Sequence, residues 1–82
     1  MHKHRVLLFA SYADAVGAGE VEVELPTGAR VSDVVAAVRQ LSPAAAKLPP
    51  RPLVAVNAAY VRDNREIALN DEIAIIPPVA GG

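Results

Sequence analysis

The residues of this sequence best suited to chemistry are its last two, Gly81 and Gly82. Glycine has no Cβ, so an extended Gly-Gly segment can enter a narrow channel that other residues would block. Nothing branches beside the carbonyl carbon of Gly82, so a nucleophile can reach it. We therefore expect the Gly82 carboxyl group to be the reactive group of this protein.

Other candidate groups are weaker. The chain has no cysteine, which excludes a cysteine nucleophile, a disulfide and a cysteine-ligated zinc. His2 and His4 lie on the same side of an extended segment, but a histidine pair near a chain end is more typically solvated, so no metal site is predicted. Asp71 and Glu72 would point to opposite faces of a strand, which favours a turn and solubility role over paired acid–base catalysis.

Composition predicts one domain over residues 1–82, with residues 77–82 as a flexible C-terminal tail. The hydrophobic fraction of 52% supports a packed core, and the aromatic fraction of 4% means that aliphatic side chains must build it. The net charge of −1 gives no basic surface for nucleic acid or for a membrane. The apolar run Val6–Ala10 is too short to cross a bilayer. We expect a cytoplasmic protein.

The elements that must position the tail follow from hydrophobic periodicity. Ser32 is predicted to cap a helix over Asp33–Leu41, and a short helix or turn is expected at Ser11–Gly17. A further helical turn is expected at Ser42–Leu48. Predicted strands are Arg5–Ala10, Glu20–Leu25, Leu53–Asn57, Tyr60–Val61 and Ile73–Ile76. This order predicts an α+β fold, a β-grasp (ubiquitin-like) roll with a mixed sheet and one main helix packed on one face.

The helix should bury one apolar stripe, and Phe9 is expected in the same core. The stripe consists of Val31, Val34, Val35, Val38 and Leu41. Residues near the tail could instead form an exposed patch for a partner, and sequence alone leaves core packing and partner docking equally open for them. The patch residues are Ala58, Ala59, Tyr60, Ile75 and Val79.

Three segments give the chain a resemblance to a known family: Val6–Ala10, Val56-Asn57 with Tyr60-Val61, and Asp71–Gly82. The last is the most specific, because an acidic turn, an apolar strand, Pro-Pro and Gly-Gly occur together. The chain resembles the sulfur-carrier family of ubiquitin-like proteins, and within it the small subunits of molybdopterin synthase. The resemblance covers essentially the whole chain.

That resemblance implies a function for the tail. An adenylating enzyme of the ubiquitin-activating type would activate Gly82 with ATP and Mg²⁺, and sulfide or a persulfide from a sulfur donor protein would make a thiocarboxylate. The tail, Pro77, Pro78, Val79, Ala80 and Gly81, would enter a channel of the synthase large subunit and donate sulfur to the precursor pterin of the molybdenum cofactor. Extended, the last four residues reach about 13–14 Å. Tyr60, Ala59, Ala58 and Ile75 would form the docking surface.

The resemblance implies no cofactor bound by this chain and no independent active site, because the chain has no P-loop and would act as one subunit of a two-subunit sulfurtransferase. Alternatives stay open. The same activated terminus could carry sulfur for thiamine thiazole or cysteine synthesis, or could modify lysines as a ubiquitin-like protein modifier. A non-catalytic interaction module is a third possibility. Pro77-Pro78 and the chain length favour molybdopterin synthesis.

Overall fold

The computed structural model describes residues 1–78, and the predictions for Val79, Ala80, Gly81 and Gly82 lie outside the described residues. The described part contains five strands, two α-helices and a short 3₁₀ helix. In chain order these are β1 (His2–Leu8), α1 (Ala10–Val16), β2 (Glu20–Leu25), α2 (Val31–Arg39), the 3₁₀ helix (Ala45–Lys47), β3 (Leu53–Val56), β4 (Ala59–Val61) and β5 (Ile73–Ile76).

The strands form one mixed sheet in the order β2-β1-β5-β3-β4. β5 runs parallel to β1 and antiparallel to β3, while the β1–β2 and β3–β4 pairs are antiparallel. β5, the last strand, therefore lies at the centre of the sheet. This is the α+β, β-grasp arrangement that the sequence predicts, with α2 crossing between two hairpins.

The core lies between α2 and one face of the sheet. Because side chains alternate across a strand, each strand sends every second residue toward the helix. From the strands, the core takes Val6, Leu8, Val23, Leu25, Val54, Val56, Ile73 and Ile75, and from α2 it takes Val31, Val34, Val35 and Val38. The side chains between them point to the opposite side of the sheet, which we call the open face.

The predicted cap of α2 is wrong. The helix begins one residue before Ser32, and Arg30 is its N-cap. The Asp33 carboxylate accepts the backbone N–H of Arg30 at 2.8 Å, so the acidic residue of the first turn closes the helix end. The helix ends at Arg39, and Leu41 therefore falls outside it and is 47% exposed. The four valines of the predicted stripe are buried.

The first strand also differs from its prediction. β1 already includes His2, because its pairing with β2 extends to His2 and Leu25. His4 is consequently 5% exposed, not solvated. β1 stops at Leu8, and Phe9 becomes the extended N-cap residue of α1. Phe9 is 45% exposed, so its predicted place in the core is wrong.

Candidate functional site

The described chain ends beside the centre of the sheet. Ile76, the last residue of β5, pairs with Leu53 at the start of β3, and Ile75 pairs with Leu8 at the end of β1. Pro77 is half-buried and Pro78 is exposed. Proline has no N–H to give to a sheet, so the pairing of β5 ends at Ile76.

A shallow groove of about 250 Å³ lies on the open face next to this exit. Ala55 and Ala74 face each other across β3 and β5, and each is only 7% exposed. Tyr60 pairs with Ala55 from the neighbouring strand and is 67% exposed. Small side chains in the middle of the face thus leave room beside exposed rings. The lining residues are Phe9, Ala55, Ala58, Tyr60, Glu72, Ala74 and Ile76.

The structure separates the four residues predicted to form the docking surface. Tyr60 and Ala58 line the groove. Ala59 is exposed, but it pairs with Val56, whose side chain faces the core, so Ala59 lies on the other face of β4. Ile75 is fully buried in the core, and its prediction as a docking residue is wrong. Period two on β5 puts Ile73 and Ile75 toward α2, which leaves Ala74 and Ile76 for the groove.

Sequence reasoning also missed Phe9, Ala74 and Ile76 as groove residues. A signal for all three was present in the strand alternation. Val6 and Leu8 face the core, so the next odd position, Phe9, belongs to the open face. The same argument separates Ala74 from its buried neighbours. The alternation separates core residues from groove residues only when it is also known that a helix covers one face of the sheet.

The β3–β4 hairpin holds one end of the groove. Val56 pairs with Ala59, so the connection is the two residues Asn57 and Ala58. Their φ angles are +53° and +68°, the left-handed values that a two-residue hairpin of type I′ requires. Asparagine tolerates this conformation, whereas the Cβ of Ala58 makes it strained. Ala58, the turn residue that borders the groove, does not favour this backbone conformation by itself. A restraint from outside the turn must therefore hold it there.

That restraint is a clasp between Asn57 and the residues just before β5. The Asn57 backbone N–H donates to the Glu72 carbonyl at 2.8 Å, and the Glu72 N–H donates to Asn57 Oδ1 at 2.9 Å. Asn57 Nδ2 donates to Asp71 Oδ1 at 2.9 Å. We call these three bonds the Asn57 clasp. It joins the turn to the start of β5 and so fixes the register in which β5 pairs with β3.

Asp71 is the centre of a wider set of bonds. Its Oδ2 atom accepts the backbone N–H of Ala68 at 2.8 Å and Nη1 of Arg65 at 3.1 Å. The Ala68 N–H, followed by the Asn57 amide and with a further contribution from Arg65, lowers the pKa of the Asp71 carboxyl below its usual value, against the opposing effect of burial. Asp71 therefore closes the turn as a carboxylate, which supports the predicted turn role.

Residues 6–82 of the sequence match the ThiS family. The chain belongs to this family. A molybdopterin synthase sulfur carrier subunit of Chlamydomonas reinhardtii is 38% identical over 95% of this chain and 96% of its own length. The corresponding subunit of Dictyostelium discoideum is 32% identical over 99% of this chain and 98% of its own length.

Solved structures agree with this membership of the ThiS family. SAMP1 of Haloferax volcanii superposes with a TM-score of 0.84 at 28% identity, over 98% of this chain and 99% of its own. A second crystal structure, of the H. volcanii small archaeal modifier protein 1, gives a TM-score of 0.82 at 26% identity, over 96% of this chain and 100% of its own. The structures confirm the predicted ubiquitin-like fold, and the family match with the two sulfur carrier subunits confirms the predicted family.

The ThiS family match includes every strand that forms the groove and continues through the four residues outside the described part. Within residues 1–78, no group of three or more His, Asp or Glu side chains is placed to hold a metal ion. No helix in that range is long and apolar enough to cross a membrane. The groove and the chain end that leaves β5 beside it are the candidate functional site.

Proposed function

We propose that this chain is the sulfur carrier subunit of a molybdopterin synthase, acting in molybdenum cofactor synthesis. The observation that carries the proposal is similarity over nearly the full length to two sulfur carrier subunits, at 38% and 32% identity. The position of the groove supports it, because a partner bound there would also receive the chain end that leaves β5. The proposal requires that the Gly82 carboxyl is free in the mature protein.

The reactive group in this proposal is the Gly82 carboxylate. Its negative charge repels nucleophiles and its oxygen is a poor leaving group, so it must be activated. A carboxylate oxygen attacks the α-phosphorus of ATP and displaces pyrophosphate, which gives an acyl adenylate. Hydrosulfide then attacks the carbonyl carbon and displaces AMP, leaving sulfur in place of one oxygen. An adenylating partner would supply the ATP and Mg²⁺ site, since this sequence has no P-loop.

The open-face groove is proposed as the surface that docks the large subunit and the activating enzyme. Exposed aromatic side chains over a small-residue floor are the usual anchors of a protein interface. Tyr60 and Phe9 supply the rings, and Leu53, 47% exposed, lies beside the exit of the chain. Pro77 and Pro78 have fixed φ angles, so this part of the tail loses less entropy when a partner orders it.

The test is the intact mass of the protein after incubation with a cognate adenylating enzyme, ATP, Mg²⁺ and sulfide. The expected product differs from the starting protein by the replacement of one oxygen by one sulfur. Gly82→Ala should abolish this change, because a Cβ next to the reacting carbonyl would obstruct the channel and the nucleophile. Gly19→Ala is the matched control, since a Cβ at Gly19 meets no atom within 4 Å.

Equal sulfur loading of the Gly82→Ala and Gly19→Ala variants would contradict the assignment of Gly82. Docking is tested separately by measuring the affinity of Tyr60→Ser for the large subunit. Loss of loading without loss of docking, or the reverse, would show which part of the proposal fails.

A protein modifier is the second candidate. The similarity to small archaeal modifier protein 1 favours it. The two candidates share activation of Gly82 and differ in the acceptor, which is a sulfur nucleophile for a carrier and a lysine amine for a modifier. In cells, a modifier gives other proteins whose lysines are joined to this chain through the Gly82 carbonyl, whereas a carrier gives the thiocarboxylate alone.

A further inference from the structure

The edge strand β4 lies between two apolar grooves, one on each face of the sheet. The open-face groove reaches it through Ala58 and Tyr60. A second groove of about 250 Å³ lies on the helix side, where Val61 of β4 and Val54 of β3 meet Val31 and Val35 of α2. Each groove alone is an ordinary surface feature. Together they lie on the two sides of one strand edge, so an extended segment added to that edge would place side chains in both grooves.

The backbone of β4 is ready for such a segment. β3 is the only neighbour of β4 among the described strands. A two-residue hairpin closes on a hydrogen-bonded pair, here Val56 and Ala59, so the next pair, Ala55 and Tyr60, is not hydrogen-bonded. The N–H and C=O of Tyr60 therefore point away from β3, toward the free edge. They can bind one residue of an incoming strand through two hydrogen bonds.

The two edges of the sheet differ in charge. β2, the opposite edge, carries Glu20, Glu22 and Glu24, which discourage pairing with another strand. β4 consists of alanine, tyrosine and valine and has no such protection beyond its short length. Two arginines and Asp63 lie near its Val61 end, beside the helix-side groove. Arg62 is exposed, and Arg51 is exposed and 3.9 Å from its nearest carboxylate, that of Asp63.

We propose that the outer edge of β4 docks an extended segment of a partner protein that has consecutive aliphatic residues next to acidic ones. Side chains alternate along a strand, so the residue opposite Tyr60 would enter the open-face groove and its two neighbours the helix-side groove. The acidic residue that follows the aliphatic ones at the Val61 end of β4 would then lie near Arg51 and Arg62. The proposal goes beyond the proposed function because it requires no chemistry at the chain terminus.

The test uses the full chain, labelled with ¹⁵N, and the peptide acetyl-Asp-Val-Ile-Val-Asp-amide as the probe. Titration should shift the amide signals of Ala59–Arg62 together with residues of both grooves. An otherwise identical peptide, N-methylated at its isoleucine, loses the donor to the Tyr60 carbonyl and should bind about tenfold more weakly. Arg62→Glu should weaken binding about two- to fivefold. Lys3→Glu, an equal charge change on β1, should leave it unchanged.

Three results would overturn the proposal. The first is no signal shift with the peptide at millimolar concentration. The second is a set of shifts confined to open-face residues such as Ala55 and Ala74, which would show simple adhesion to that groove. The third is equal binding of the N-methylated peptide, because strand addition depends on the backbone hydrogen bonds.

Discussion

Replacing Asn57 by alanine should be among the most destabilising changes possible at an exposed position of this protein. Asn57 is exposed, and ordinary exposed substitutions change stability by less than about 0.5 kcal/mol. This residue differs because its side chain makes two bonds of the Asn57 clasp and its φ angle is +53°. The variant should lose both contributions at once.

The expected magnitude follows from these contacts. The bonds to Asp71 Oδ1 and from the Glu72 N–H are both 2.9 Å long, and each contributes about 1 kcal/mol. Placing alanine in the left-handed conformation costs about 1 kcal/mol more than placing asparagine there. The sum is about 3 kcal/mol. A chain of this length has a total stability of about 4–12 kcal/mol, so the loss would be a large part of it.

Two further variants separate the terms. Asn57→Gly loses the same side-chain bonds but accepts the positive φ without strain, so it should lose about 2 kcal/mol. Asn70→Ala is the matched control. Asn70 is an exposed asparagine in the loop before β5, and its side chain makes no hydrogen bond within residues 1–78. Its replacement should change stability by less than about 0.5 kcal/mol.

The measurement is the free energy of unfolding from urea titrations of the three variants and the parent protein. The order of loss should be Asn57→Ala, then Asn57→Gly, then Asn70→Ala. If Asn57→Ala were as stable as Asn70→Ala, the clasp would contribute nothing and the reasoning would be refuted. If Asn57→Ala and Asn57→Gly were equally stable, the hydrogen bonds would matter and the backbone strain would not.

Two more predictions concern the same turn. The pKa of Asp71 is lower in the folded protein than its ordinary value of 3.8, so the carboxylate stabilises the fold above that pH, and this contribution is lost as the pH falls through 3.8 toward the folded value. The difference in unfolding free energy between the parent protein and Asp71→Asn should therefore shrink between about pH 6 and about pH 2. A difference that stays constant over this range would contradict the prediction. Ala58→Gly should raise stability by about 0.5–1 kcal/mol, because it relieves the backbone strain of an alanine with a φ angle of +68°. Ala59→Gly, in the adjacent strand, should lower stability. Urea titration of both variants tests the sign of each change.

Most of the fold could be predicted because its signals are local. Alternating charge and valine in Glu20–Leu25 predicted β2, and valines at helical spacing predicted α2. The errors came from contacts between distant residues. Ser32 is a good cap by residue type. However, the backbone N–H of Val31 donates a hydrogen bond to the carbonyl of Arg65, and the helix starts one residue earlier than predicted. Nothing near Ser32 in the sequence reports that contact.

The site was predicted less completely than the fold. Tyr60 was selected together with Ile75 as an apolar residue near the tail, and of the two only Tyr60 is exposed. Ile75 was chosen by hydrophobicity alone, which cannot tell a core residue from an interface residue. Only the sheet order, with α2 on one face, decides that Ile75 is inside and Ala74 is outside. The assignments of residues 79–82 remain predictions.

The position of the Asn57 clasp explains why a turn at the far end of β5 matters for the groove. Core and groove residues alternate along β5, so a slip of one residue would put Ile73 and Ile75 into the groove and send Ala74 and Ile76 into the core. Such a slip would also move the point at which the chain leaves the sheet. The clasp opposes such a slip, because Asn57 donates its backbone N–H to the Glu72 carbonyl and accepts the Glu72 N–H at its side-chain Oδ1. Binding surface and chain exit are therefore set by the same few hydrogen bonds, and weakening them should impair partner docking even where the groove residues are unchanged.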